Sequence, residues 1–235
     1  MKFGISNLSW NLENDILVKA NLTNYDYIET VFPRIDYGYY STQSIFYGSN
    51  VTTFDDMDLT LNRMNFVIDE CYKYGIKIII LGSPSLRKGD KKNLLKVLGE
   101  VDCKLKKYNI FLCIEPNSSY YGGEYYFTLS EIVNDICEFS NVKTMIDTHN
   151  LLLENQNIFD EYKKYYSHIK HCHFSEKDLD PIQNYSFYRR LVDFFYESGY
   201  NYGITYELKS TSDIIQQSKK FIQLKKEKTI ELKSW

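Results

Sequence analysis

The chain has 235 residues, with 28 Lys and Arg against 31 Asp and Glu, a net charge of −3 and a hydrophobic share of 43%. This is ordinary globular composition, which excludes a disordered chain, and it lacks the basic excess of a general nucleic-acid binder. No apolar run reaches the ~18 residues that span a bilayer, and the first six residues lack the long apolar core of a secretory signal, so a cytoplasmic protein without membrane partners is expected. The five cysteines, Cys71, Cys103, Cys113, Cys137 and Cys172, are scattered with no C-x-x-C pair. They read as buried thiols in a reducing compartment.

Short apolar runs alternate with longer amphipathic ones along the whole chain. Strands are expected at 2–6, 26–31 and 41–46, the last two joined by a short connection over 32–40. The spacing then predicts a helix over 53–74, opening near Thr53 and Asp56 and stopping at Gly75. A strand at 77–82, a helix at 91–107 and a strand at 110–115 follow. The helix over 128–139 carries a capping-box pattern, Thr128 and Glu131, ahead of Ile132, Ile136 and Cys137 at helical spacing. Strands at 143–147, 168–173 and 202–207 alternate with helices at 157–166, 184–198 and 211–225. The Lys-rich end, 219–235, reads as a solvated last helix and tail.

Most of the strands are apolar on both faces, which suits parallel strands covered on both sides. Eight of them with mostly helical crossovers, and no linker, point to an α/β single domain, a closed (β/α)₈ TIM barrel over about 2–225. The competing doubly wound sheet wants a Gly-rich phosphate turn after its first strand, where Asn7-Leu8-Ser9-Trp10 stands instead.

Four late strands each end in a candidate metal ligand: Glu115, Asp147, His173 and Glu207. In a barrel these ends meet at one mouth. Three carboxylates with one imidazole suit one divalent ion, Mn²⁺, Co²⁺ or Mg²⁺, with Zn²⁺ less characteristic. His171 and His173 alternate onto one side of their strand with Cys172 opposite. His173, nearer the C-terminal end, is the expected ligand, and His171 a supporting or core residue. Ser83 and Arg87, after the fourth strand, read either as contacts to a substrate hydroxyl, phosphate or carboxylate or as a capped loop with a surface Arg. Glu176 reads as a substrate contact, as an orienter of His173 or as a solvated loop residue. Trp10 reads as an aromatic wall or as core, and Lys209 as a help in positioning an anion or as an exposed charge.

The order of these pieces resembles the xylose-isomerase-like TIM-barrel superfamily of sugar and sugar-phosphate isomerases and epimerases. The segments that carry it are Tyr27-Ile28-Glu29-Thr30, residues 81–87, Ile114-Glu115-Pro116-Asn117, Ile146-Asp147, His173-Phe174-Ser175-Glu176 and Tyr206-Glu207. The resemblance implies Glu115, Asp147, His173 and Glu207 as metal ligands, and Glu115 and Glu207 also as the catalytic carboxylates. Asn117 falls among the implied substrate contacts. One departure stands out. Many members carry Asp-x-x-His after the sixth strand, and this chain has Asp147-Thr148-His149, so either His149 or Asn150 takes the substrate-facing place.

The implied chemistry is proton transfer next to a carbonyl through a metal-bound enediolate, with the two Glu as acid and base. A carbohydrate or sugar phosphate is the implied partner, and a monomer, dimer or tetramer is compatible. Two other readings stand against it. One is a barrel that binds a sugar without turning it over, which would lack one of the paired carboxylates. The other is a phosphodiester hydrolase of the endonuclease type, which needs more histidines than the four present.

Overall fold

The computed structural model describes residues 1–7, 24–32, 40–209 and 214–233, apart from the side chains of 215 and 229–233. Among them, eight parallel strands close into a barrel in chain order. They are β1 (Lys2–Ser6), β2 (Tyr27–Val31), β3 (Ser41–Gln43), β4 (Ile78–Leu81), β5 (Phe111–Ile114), β6 (Val142–Asp147), β7 (Ile169–Phe174) and β8 (Gly203–Tyr206), with β8 returning to pair with β1. The crossovers carry α1 (Met57–Lys73), α2 (Lys91–Tyr108), α3 (Leu129–Ile136), α4 (Thr148–Leu153), α5 (Ile158–Tyr165) and α6 (Tyr185–Glu197). After β8 come α7 (Ile214–Gln217) and α8 (Lys219–Lys233). The expected (β/α)₈ barrel is the fold. Most of the connection at 32–40 lies outside the described residues. No helix among the described residues is long and apolar enough to cross a membrane.

Local chemistry sets most element ends. Asp56, Asp90 and Asn157 each cap their helix by accepting a backbone N–H. Thr128 accepts the Glu131 N–H at 3.2 Å, and Glu131 reaches back to the Phe127 N–H at 3.0 Å, one residue beyond the reciprocal capping box. β3 is shorter than expected because Ser44 takes a left-handed φ of 55°, which breaks the strand after Gln43. The helix at 148–153 is absent from the periodicity reading. It forms because Asp147, ending β6, caps it directly. The expected helix at 211–225 is instead α7 and α8. Its Lys-rich part is more than a solvated tail, because Phe221 and Leu224 are buried in the apolar shell that also holds Phe174 and Tyr206. Two cysteines depart from the buried reading: Cys103 and Cys137 are exposed, and all five thiols are free.

The apolar shell lies between the barrel and its helices. The barrel interior divides into an apolar part, Ile78, Ile80, Cys113 and Met145, and a polar part. Tyr27 fills the space beside β1 and β8. A Cβ at Gly4 would lie 2.2 Å from its ring and one at Gly203 2.5 Å from its hydroxyl, so only glycine fits at either place. The Tyr27 hydroxyl bonds the Thr205 hydroxyl at 2.8 Å.

One irregularity decides which way β7 faces. Thr144 pairs with Ile169 but Met145 pairs with His171, so Lys170 is an extra residue on β7. Ile169 and Cys172, three apart, both pack in the outer shell, which strict alternation forbids. The bulge reverses the alternation and turns His171 and His173 into the barrel.

Candidate active site

Glu115, Asp147, His173 and Glu207 meet at the C-terminal mouth, and one ligand atom from each lies within 4.8 Å of all the others. His173 Nδ1 is 3.3 Å from Glu115 Oε1, 3.4 Å from Glu207 Oε2 and 3.9 Å from Asp147 Oδ2. Each carboxylate is held by its own donors. Asn117 donates to Glu115 Oε2 at 3.0 Å, and Gln43 donates to Glu207 Oε1 at 3.3 Å. Asp147 accepts the Asn150 N–H at 2.7 Å on Oδ1 and the Ser175 hydroxyl at 2.8 Å on Oδ2. Gly82 leaves the space that Glu115 needs, since a Cβ there would lie 2.5 Å from Glu115 Oε2.

The electrostatics of this cluster fit a cation. His173 Nδ1 is buried, has no hydrogen-bond partner and faces three carboxylates. Burial, reinforced by Glu115 and Glu207, pushes Asp147 up to about 7. Burial opposes a charge on His173, yet Glu29, Glu207 and Glu115 together raise it well above the ordinary imidazole value. Burial also works against the charge on Glu115, but His173, Asn117 and Arg87 outweigh it and hold the carboxyl below its usual range. Protonation thus compensates a crowd of buried negative charge that one divalent ion would neutralise. Three oxygen donors and one imidazole suit Mn²⁺, Co²⁺ or Mg²⁺.

Above the cluster is a cavity of about 220 Å³. Glu115, Asp147, Glu207, Gln43, Asn117, His149, Asn150 and Ser175 line it on the polar side, and Pro84, Tyr121 and Leu179 add apolar and aromatic surface. The wall carrying Asn117 and Tyr121 is pinned by Glu154. Its Oε1 accepts from the Ser118 hydroxyl at 2.7 Å and from the Ser119 N–H at 2.8 Å. Asn150 Oδ1 accepts the Ser118 N–H at 3.1 Å.

No family model matches the chain, and no curated protein matches it. Solved structures do. A D-psicose 3-epimerase from Clostridium cellulolyticum H10 superposes with a TM-score of 0.72 at 18% identity, over 89% of this chain and 85% of that one. A 3-keto-D-glucoside 4-epimerase from E. coli gives 0.73 at 14% identity, over 96% and 99%. A protein described as AP endonuclease, family 2, from Brucella melitensis gives 0.73 at 14% identity, over 95% and 99%. The fold is the (β/α)₈ barrel that these structures share.

In this barrel the other candidate residues divide. Asn117 and His149 line the cavity, and so does Asn150, so the altered spacing after Asp147 brings both alternatives to the mouth. Ser83 and Arg87 are not among the lining residues. Arg87 is fully buried rather than a surface group, and its guanidinium donates to the Leu81 and Gly82 carbonyls at 2.8 Å and to the Tyr126 carbonyl at 3.4 Å. Its forked geometry serves the β4 end and the loop before α3. Glu176 accepts the Gln183 and Asn184 N–H groups at 2.9 and 3.4 Å, which secures the entry to α6. Lys209 is exposed and pairs with Asp180. Trp10 lies outside the described residues.

Arg87→Met is accordingly expected to act on stability. It removes the donor of the buried Gly82 carbonyl, while the Leu81 and Tyr126 carbonyls keep the Glu115 and Asn117 N–H groups, at a cost of about 1–3 kcal/mol. A denaturant melt should show the loss, while Mn²⁺ affinity of the folded variant stays within a few-fold of wild type. A loss of affinity with unchanged stability would contradict this placement.

Sequence reasoning missed Gln43, Tyr121, Pro84, Ser175 and Leu179 at the cavity. Gln43 ends β3 just as the candidate ligands stand at the ends of β5 to β8, but a neutral amide carries no charge to mark it. Tyr121 is one of 22 tyrosines, so its residue type alone was uninformative.

Proposed function

We propose that the protein is a metal-dependent sugar epimerase or isomerase that moves a proton at the carbon next to a carbonyl. The observation that carries this is the pair Glu115 and Glu207. They approach the same His173 nitrogen at 3.3 and 3.4 Å and both line the small cavity at the mouth. A bound divalent ion would polarise the sugar carbonyl and so acidify the neighbouring C–H.

Glu115 and Glu207 then serve as base and acid, one taking the proton and the other returning one. Asn117 and Gln43 each donate one hydrogen bond that orients one of these carboxylates. His149, Asn150 and Asn117 offer polar contacts to hydroxyls, and the Pro84, Tyr121 and Leu179 side suits the C–H face of a sugar. The epimerases named among the solved structures of this fold support the same class of reaction.

The hydrolytic reading has less support. His173 is the sole imidazole in the four-residue ligand group, and His171 is occupied by Glu29.

The test is solvent deuterium incorporation into a panel of free ketoses, with Mn²⁺, Co²⁺ or Mg²⁺ and with a chelator. Exchange at the carbon beside the carbonyl, abolished by the chelator, is expected. Ketose binding without exchange in the metal-loaded protein would instead make this a binding barrel.

A further inference from the structure

A carboxylate sealed inside a barrel is costly unless donors surround it. Glu29, on β2, has no solvent exposure, and its donors come from three other strands. Oε2 accepts from the Ser41 hydroxyl at 2.7 Å, from His171 Nε2 at 2.8 Å and from the Thr205 hydroxyl at 3.1 Å. Thr205 is in turn held by Tyr27, which fills the space that Gly4 and Gly203 leave. Oε2 is therefore fully engaged, and the carboxylate has one rigid orientation. Its other oxygen, Oε1, makes none of these bonds and lies 2.9 Å from His173 Nε2.

We infer that Glu29 is a positioning residue that fixes the tautomer and ring orientation of His173, so that Nδ1 presents a lone pair to the metal. The Glu29 Oε1 contact, 2.9 Å from Nε2, places the ring's proton on Nε2 once a metal takes Nδ1. A neutral imidazole with its proton on Nε2 has its lone pair on Nδ1, the nitrogen that faces Glu115, Asp147 and Glu207. The carboxylate also makes the ring a stronger donor. The bulge at Lys170 places His171 and His173 on the same inner side, so one carboxylate engages both rings. His171 holds Glu29, and Glu29 holds His173. This inference rests on the metal-site reading above.

Three measurements test it. Mn²⁺ affinity by titration calorimetry is compared in wild type, Glu29→Gln and Thr205→Val. The last removes one donor to Oε2 and leaves the carboxylate in place. Thermal unfolding of the metal-free proteins checks that each is folded. Nitrogen-15 NMR of the Zn²⁺-loaded wild type then reports which nitrogen of His173 carries the proton.

The expected results are Mn²⁺ binding weakened about 10- to 100-fold in Glu29→Gln, a smaller weakening in Thr205→Val, and a proton on Nε2. If Glu29→Gln does not fold, Thr205→Val and the NMR signal still decide. Mn²⁺ affinity within twofold of wild type in the folded variants, or a proton found on Nδ1, overturns the role of Glu29 and leaves the metal site standing. A wild type that binds no divalent ion overturns both.

Discussion

Relative to Asp147→Asn, the metal-free wild type is expected to lose stability as the pH rises from about 4 to about 7. Burial among Glu115 and Glu207 raises the Asp147 carboxyl from 3.8 to about 7 in the folded state. Between those values the folded protein holds a proton that the unfolded chain has released. The stability contributed by that proton is complete below the unfolded value and disappears as the pH climbs through the folded one. The slope is roughly 1.4 kcal/mol per pH unit for one proton. His149, His168 and His171 are held below their ordinary values, chiefly by burial, and tilt the curve the other way. They are common to both proteins, so the difference reports Asp147 together with the groups its charge acts on, Glu115, His173 and Glu207.

Asn keeps a carbonyl oxygen to accept the Asn150 N–H, so the cap on α4 survives the substitution. Mn²⁺ at 100 times its dissociation constant should then stabilise the wild type at pH 7 by about 2.7 kcal/mol and the variant by much less. Denaturant melts at pH 5 and pH 7, with and without Mn²⁺, check both halves. A variant that retains full metal stabilisation would remove Asp147 from the ligand set.

The second large effect falls on the proposed proton transfer. Glu115→Gln and Glu207→Gln should each slow solvent exchange of the ketose C–H by about 10²- to 10⁴-fold, the usual contribution of a positioned acid or base. The comparison is made at saturating Mn²⁺, because both residues also belong to the candidate ligand group. The two variants should differ in direction. If each carboxylate serves one face of the substrate, each variant loses exchange from one epimer more steeply than from the other. Deuterium incorporation followed separately from the two epimers, by NMR, reads this. Equal loss from both epimers in both variants would assign the two residues to metal binding alone.

Much of this architecture was legible in the residue order. β1, α2 and α6 fall within about a residue of their expected bounds, because apolar period and caps are local signals. Three features escaped for a shared reason. The end of β3 depends on the left-handed turn at Ser44, which the apolar run through Ile45 and Phe46 hides. The short helix after β6 depends on a cap that is itself a site residue, Asp147. The place of Arg87 depends on carbonyls from β4 and from the segment before α3, which no local pattern brings together. In the site, the charged strand ends were visible because a carboxylate at the end of an apolar run is costly to place near a core. Gln43 and Tyr121 carry no such cost and left no such mark.

The sequence by itself determined the alternation of strands and helices, and hence a barrel whose mouth gathers Glu115, Asp147, His173 and Glu207. The tertiary structure alone decided how those groups face one another. The extra residue at Lys170 sets the parity of β7, and a bulge is a property of two paired strands. Glu29 reaches His171 and His173 across 142 and 144 positions of chain because closure of the barrel makes them neighbours. Periodicity and capping act within a few residues, whereas ligand geometry, buried charge and the choice of imidazole nitrogen are set by distances between strands, which exist only once the barrel has closed.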